Sequence, residues 1–406
     1  MNDPFSIAYA RELDGNDPLR HYRDRFVIPD PSLIYLDGNS LGRLPLQTIG
    51  HMETVVREQW GDRLIRGWNE GWYQQSASLG KKIAQIIGAH PDEVILSDST
   101  SVNLYKLAYG ALQLMEKRTE IISDDLNFPS DLYILQGLIR QFGNRHALRL
   151  IKSADGISSD MTELLRMISN RTALVTLSHV AYKSAYMYDL AKVTELAHMH
   201  GSLVLWDLSH SVGAVPVSLN KANADLAVGC TYKYLNGGPG SPAFLYVRKD
   251  LQEKLGNPVW GWFGEKNPFD FKMNYRVADG IRKFLTGTPP VISASALEPS
   301  LDLVLEAGVG AIRQKSVHQT AYLISLASEW LISLGFRLGS PEYADRRGSH
   351  VSLKHAEAYR ICKALADPAS GERPVIPDFR EPNNIRLGIS PLYNTYEEIY
   401  LAIEQL

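Results

Sequence analysis

The chain has 406 residues, of which 45% are hydrophobic and 21% charged, and a formal net charge of −3. It is long enough to bury a large core and to divide into two domains, and it has no basic tract to suit nucleic acid or an anionic membrane surface. Two cysteines, Cys230 and Cys362, argue against a disulfide framework or a structural zinc site and fit a reducing cytoplasm.

The first residues, MNDPFSIAYARELDGNDP, are acidic and lack an apolar core, so no secretory signal is expected. No run approaches the roughly 18 apolar residues of a membrane span. Helical patterning starts at Ser6 and again near Arg20. The short apolar run Leu33–Leu36 ends in the turn-rich segment Asp37-Gly38-Asn39-Ser40-Leu41-Gly42. A surface loop would account for it, although Asn39 and Ser40 are the short polar residues that line pockets. Residues 47–60 predict an amphipathic helix. Trp68 and Trp72 follow in a glycine-flanked loop, where aromatics serve as core lids or as substrate walls. Residues 75–88 predict another helix.

Glu93–Ser97 predicts a strand that feeds Ser97-Asp98-Ser99-Thr100-Ser101 and then a helix over 102–115. Hydroxyls at a helix N-terminus suit a phosphate. Plain N-capping explains the same residues. The alternation continues with strands over 120–123, 147–152 and 173–178 and helices over 131–143, 160–169 and 190–200. The loop Asn127-Phe128-Pro129-Ser130-Asp131 opens the helix over 131–143.

Between Gly201 and Ser241, one apolar run stops at Asp207, with His210 shortly after it. A second, from Asp225 to Cys230, runs into Thr231-Tyr232-Lys233 and the strand-breaking Asn236-Gly237-Gly238-Pro239-Gly240. A carboxylate and a lysine at two strand ends suit pyridoxal phosphate, which needs an amine for its aldehyde and an acid facing its ring nitrogen. An ordinary surface Asp and Lys would give the same pattern. A strand over 243–247 follows, then aromatics between glycines at Trp260–Gly264. The turn FLTGTPP covers 284–290. A long helix over 292–334, broken near Gly308–Gly310, leads to strands near 350–354 and 385–389 and helices near 356–366 and 395–405, with Arg386 inside the last strand.

Strands alternating with helices predict βαβ units and a largely parallel sheet. Ligands of such sheets sit beyond the carboxyl ends of the strands. Thr100, Phe128–Asp131, Ser178, Asp207–His210 and Tyr232–Lys233 all fall at or just after such ends, which points to a single site. No GxGxxG, GxxxxGK[ST] or GxSxG motif occurs, and the histidine and cysteine spacings make no metal cluster.

These residues lie in segments that together resemble the kynureninase family of fold-type I pyridoxal phosphate enzymes: YLDGNSLG (35–42), LIRGWN (64–69), DSTSVNLYK (98–106), NFPSDLY (127–133), LSHVAYKSAYMYD (177–189), WDLSHSVGAVPV (206–217), GCTYKYLNGGPGSPAF (229–244), GWFG (261–264) and FREPNNIRLGISPLY (379–393). The resemblance spans about Leu33 to Tyr393. It implies an α/β fold with a mixed, mostly parallel seven-stranded sheet between helices. It also implies a large domain over 51–295, a connecting helix and small α+β domain over 296–406, and an N-terminal segment, 1–50, packed on the small domain.

It further implies that Lys233 binds the cofactor covalently and acts as base, that Asp207 faces the ring nitrogen, and that His210 supports that region. Phe128 is expected on the ring face, with Pro129 and Ser130 in the same loop. Thr100 and Ser101 are expected at the phosphate, and Asp131 and Ser178 at the remaining polar contacts. Tyr232 is expected near the phosphate and as a proton relay. Arg386 is expected to clamp the substrate carboxylate, with Ser40 and Trp68 also at the substrate. Trp262 and Thr288 align with residues that a neighbouring subunit contributes, which implies a homodimer with shared sites.

The implied reaction is hydrolysis of L-kynurenine to anthranilate and L-alanine, within tryptophan degradation, anthranilate supply or NAD biosynthesis. Trp68, Gly287 and Thr288 form the set expected to favour kynurenine over its 3-hydroxy form. The alternative is another enzyme of this fold, a cysteine desulfurase-like lyase or an aminotransferase. Neither Cys230, just before the lysine, nor Cys362, in a helical pattern, is placed as a mobile sulfur acceptor.

Overall fold

The computed structural model describes residues 3–368 and 372–406. Its strands are β1 (Ile34–Tyr35), β2 (Val94–Leu96), β3 (Glu120–Asp124), β4 (Ala147–Ile151), β5 (Thr172–Ser178), β6 (Leu203–Asp207), β7 (Leu226–Gly229), β8 (Phe244–Val247), β9 (Arg337–Leu338), β10 (His350–Lys354), β11 (Val375–Ile376), β12 (Asp378–Arg380) and β13 (Asn384–Gly388). Its helices are α1 (Ile7–Gly15), α2 (Leu46–Thr54), α3 (Trp72–Ile86), α4 (Thr100–Leu114), α5 (Pro129–Gln141), α6 (Met161–Met167), α7 (Leu190–Met199), α8 (Lys249–Gln252), α9 (Val291–Ala307), α10 (Val309–Trp330), α11 (Ala358–Ala366) and α12 (Tyr396–Gln405).

The main sheet has seven strands in the order β2-β8-β7-β6-β5-β3-β4. Only β8 runs antiparallel to its neighbours. Helices cover both faces, so the central strands are buried along their whole length, which is why they are continuous apolar runs in the sequence. Alternate residues divide between the two faces. Leu96, Val175, Leu177, Val204, Trp206 and Phe244 pack with α3, α7 and α9. Ile95, Ile121, Leu174, Leu205, Val228 and Leu245 pack with α4 and α5. The fold is therefore the expected α/β class, a mixed and mostly parallel sheet between helices.

A second sheet, β12-β13-β10-β9, is antiparallel and packs with α1, α10 and α12 around Leu323, Val351, Leu387 and Ile399. The N-terminal segment joins this layer. Strand β1 pairs in parallel with β11, and Ile34 and Leu36 lie in the same core. The long helix is broken at Gly308, whose φ of 75° lies in the left-handed region that favours glycine. Ahead of the break, Leu297, Leu301 and Val304 pack in the core of the main sheet, and after it Leu323 and Leu326 pack against the second.

The helix expected over 47–60 is regular only to Thr54. Residues 55–62 are wound more loosely, with i→i+5 hydrogen bonds such as Arg63 N–H to Glu58 C=O at 2.9 Å. The two-residue strands β1, β9 and β11, and the three-residue β12, were not expected.

Candidate active site

The carboxyl ends of β2, β3, β5, β6 and β7 open on one edge of the main sheet. Lys233 lies in the turn after β7, and that turn is tied down on all sides. Asn236 N–H donates to the Lys233 carbonyl at 2.9 Å, and Gly237 N–H donates to Thr231 C=O at 2.9 Å. Thr231 Oγ1 donates to Pro242 C=O at 2.6 Å. From the other side, Gly42 N–H donates to Tyr232 C=O at 2.8 Å. Any side chain at position 42 would collide with the Lys233 carbonyl, since a Cβ there would stand 2.4 Å from it. The segment 37–42 is thus a wall of the lysine turn and not a surface loop.

The Lys233 amine lies 3.2 Å from His210 Nε2 and 6.0 Å from the centre of the Phe128 ring. Phe128 is 42% exposed and opens onto the same cleft, braced edge-on by Tyr182 with ring centres 5.2 Å apart. The Tyr232 ring centre is 5.8 Å from the amine. Burial, with the Cys230 thiol second, pushes the Tyr232 phenol up, so it keeps its proton at neutral pH. His210 is held neutral by burial and then by the charge of Lys233.

Asp207 ends β6, paired in register with Ser178 at the end of β5. Its Oδ1 accepts from Ser209 N–H at 2.9 Å and from Ser209 Oγ–H at 2.6 Å. Ser178 Oγ lies 3.5 Å from Asp207 Oδ2 and donates to Asn127 Oδ1 at 2.6 Å. Asp131 is buried nearby, and its Oδ2 finds no partner. Burial raises both carboxyls, and the charge of Asp207 raises Asp131 further. Asp207, which accepts twice from Ser209, keeps the charge, and Asp131 takes the proton.

Helices α4 and α5 start side by side. Ser99 caps α4, its hydroxyl accepting from Val102 N–H at 3.4 Å. Thr100 and Ser101 follow it in the first turn, and Ser101 Oγ meets Ser130 Oγ of α5 at 2.9 Å. Two helix N-termini and their hydroxyls therefore converge, which favours an anion more than either end alone. The turn depends on Asp98, whose φ of 46° is costly for a residue with a Cβ. The fully buried Lys106 holds it, its amine 2.7 Å from Asp98 Oδ2 and donating to Phe284 C=O at 2.7 Å. Thr286 Oγ1 donates to Asp98 Oδ1 at 3.0 Å.

Arg386 reaches the cleft from β13. Its Nη1 donates to Tyr182 C=O and its Nη2 to Ser40 Oγ, both at 2.7 Å. It is paired with Asp378. With the Asn39 amide turned to satisfy both its atoms, Nε donates to Asn39 Oδ1 at 2.9 Å. The guanidinium is buried and pre-oriented, with Ser40 beside it. Trp68 packs on Trp72 and Phe263, with ring centres 5.7 and 5.6 Å away. Trp262 packs on Phe263, Phe269 and Phe271, and Thr288 is exposed. No ring contact or hydrogen bond joins Trp68, Trp262 or Thr288 to Lys233, Phe128 or Asp207 among the described residues.

These residues fit pyridoxal phosphate. There is an amine for the aldehyde, an aromatic face beside it, a buried carboxylate, and two helix ends for the phosphate. An unpartnered carboxyl oxygen on Asp131 is available for a further polar contact. Several residues escaped the sequence reading. Ser209 had a local signal, a hydroxyl two residues after an Asp, a spacing at which side chains bond their own backbone. Asn127 and Tyr182 had none, because their partners Ser178 and Arg386 are distant in sequence. Lys106 and Asp378 lie near Asp98 and Arg386 in the chain, at a spacing that carries no helical or strand signal.

Residues 312–406 match the family described as the kynureninase C-terminal domain. A kynureninase of Pseudomonas fluorescens is 41% identical over 399 residues, covering 97% of this chain and 93% of that protein. A kynureninase of Burkholderia pseudomallei (strain K96243) is 41% identical over 402 residues, covering 98% and 94%. Among solved structures, the apo cysteine desulfurase of Thermococcus onnurineus superposes with a TM-score of 0.79 at 19% identity, covering 92% of this chain and 94% of that one. A C-DES mutant with glycine covalently linked to its pyridoxal phosphate cofactor superposes with a TM-score of 0.80 at 18% identity, covering 92% and 96%. The solved structures share the fold alone, whereas the sequence relatives match along nearly the whole length. The chain belongs to the kynureninase family.

Proposed function

We propose that this protein is a pyridoxal phosphate-dependent kynureninase that hydrolyses the Cβ–Cγ bond of L-kynurenine to give anthranilate and L-alanine. The observation that carries this is the convergence, on one cleft, of the Lys233 amine beside the Phe128 ring and a buried arginine supplied by a different sheet. When bound, pyridoxal phosphate supplies the electron sink that stabilises a carbanion next to the substrate nitrogen. Lys233 holds the cofactor by its amine and then moves the proton at the substrate α-carbon. Asp207 would pair with the ring nitrogen, and Phe128 would cover the ring face. Thr100, Ser101 and Ser130 hold the phosphate between the two helix ends, with His210 beside the lysine. Tyr232 keeps its proton at Oη and can deliver it to the leaving carbon. Arg386, oriented by Asp378 and Tyr182, binds the α-carboxylate next to Ser40, a charge-assisted contact to which its planar fork is suited.

The reading includes a homodimer in which Trp262 and Thr288 complete the partner's site. Its support is that neither has a ring contact or hydrogen bond to Lys233, Phe128 or Asp207 among the described residues, together with the exposed apolar residues Ile49, Trp60, Leu64 and Ile65. It also includes the division into an N-terminal segment, a large domain and a small domain. Its support is that the two sheets have separate cores. No helix among the described residues is long and apolar enough to cross a membrane. The two free, buried cysteines suit a reducing cytoplasm.

The test is an anthranilate fluorescence assay run with kynurenine and 3-hydroxykynurenine side by side. Turnover of kynurenine at the higher efficiency is expected, because the Trp68 indole would crowd a ring hydroxyl. Lys233→Ala should abolish it. Anthranilate release by that variant, or accumulation of aminated cofactor without anthranilate, would overturn the reading.

A further inference from the structure

His350 opens β10 and is fully buried, and its ring nitrogens meet only the backbone of Ala181 and Tyr182, without a well-formed hydrogen bond among the described residues. Such burial opposes folding, since an unpaired polar group is costly away from water. Its surroundings suggest what the imidazole does there. Its ring centre lies 5.7 Å from that of His210, with the planes tilted by 55°. His210 in turn meets the Lys233 amine at 3.2 Å. On the other side, His350 is in register with Gly388, which lies close to Arg386 on β13. The Tyr182 carbonyl that accepts from Arg386 also stands near the His350 ring, as does that of Ala181. Burial, then the charges of Arg386 and Lys233, keep the His350 ring neutral. Two neutral imidazoles thus fill the space between the lysine on one sheet and the arginine on the other.

We propose that His350 is a positioning residue for the reaction. From the C-terminal sheet it braces His210, and through His210 it fixes the Lys233 amine relative to Arg386. The proposal rests on the roles given above to Lys233 and Arg386. In an amino acid substrate, the α-carbon and the carboxylate are bonded to each other. The base and the clamp must therefore be held at one separation, and a displacement of about 1 Å can cost on the order of a hundredfold in rate.

The test uses cofactor-loaded His350→Leu, which fills the space without a polar atom, and His350→Gln, which restores a donor and an acceptor. kcat, KM, melting temperature and the pH midpoint of the visible cofactor band are measured for each. The leucine variant is expected to lose about tenfold or more in kcat with KM changed far less, and to move the band midpoint by about half a pH unit. The glutamine variant should recover most of both. Wild-type kcat and midpoint in the leucine variant overturn the proposal. So does a lost kcat with an unmoved midpoint and a lowered melting temperature, which is the pattern of a packing role. Should the leucine variant not fold, His350→Ala with imidazole added is assayed instead. Restored kcat is expected, and no effect of imidazole overturns the proposal. Lys233→Ala, run in parallel, separates the two readings, because turnover in that variant refutes the lysine assignment whatever His350 does.

Discussion

Asp131 is a side chain whose charge the fold opposes. It is buried beside Asp207 with one oxygen unpartnered, and its carboxyl is held well above the ordinary value near 3.9. The folded chain therefore binds a proton that the unfolded chain releases. That contribution to stability is complete below about pH 3.9 and is lost as pH rises through the folded value. In cofactor-free protein, the melting temperature of the wild type should fall more steeply than that of Asp131→Asn as pH rises above about 3.9. Equal slopes in the two proteins would sink the assignment. Asp207 and Lys233 were legible from chain order alone as an acid and an amine at two strand ends. Their chemical roles came from resemblance. His350 was not legible at all, because it is defined by contacts to residues far away in sequence, and Asp378 was not, because β12, which pairs it with Arg386, is too short to register.

Among the elements, the strand–turn–helix from β2 into α4 shows how backbone strain and a buried ion pair are joined. Asp98 adopts its left-handed conformation at the point where the chain must expose the N-terminus of α4, and Lys106, further along that helix, reaches back to hold it. Removing one partner of a buried pair costs about 3–5 kcal/mol. Asp98 is 24% exposed in its side chain, so Lys106→Met should lie at or below the lower end. A lower melting temperature together with weaker pyridoxal phosphate retention is expected, measured by thermal unfolding and by dialysis followed by absorbance. An unchanged affinity would separate the ion pair from the anion site. The sequence marked this turn and the central strands because burial on both faces leaves long apolar runs. It did not mark β1, β9, β11 or β12, which are too short for any period to register. It did not mark the loosening of the helix after Thr54 either, since a change of hydrogen-bond spacing leaves the apolar pattern nearly intact.

At the scale of the molecule, the proposed contribution of Trp262 to a partner's site leads to a mixing experiment. Trp262→Ala and Lys233→Ala should each be inactive alone. If the sites are shared, mixed dimers should regain activity as subunits exchange, because one of their two clefts combines an intact lysine with an intact tryptophan. No recovery after exchange, verified with tagged subunits, would mean that each chain works by itself. The cysteines separate this chain from the desulfurases that share its fold. Cys230 is fully buried and its thiol is raised by burial, and Cys362, also buried, is pushed up to about 12. Neither is a ready thiolate.

The hydrogen bond from Arg386 to Ser40 joins residues separated by 346 positions. A ribosome delivers the lysine, the carboxylate and both helix ends well before the strand that carries the arginine. A chain interrupted ahead of Arg386 therefore carries the amine proposed to bind the cofactor and lacks the arginine proposed to bind the substrate carboxylate. On the roles proposed above, recognition of the α-carboxylate enters the chain only after every residue of the cofactor cradle has been made.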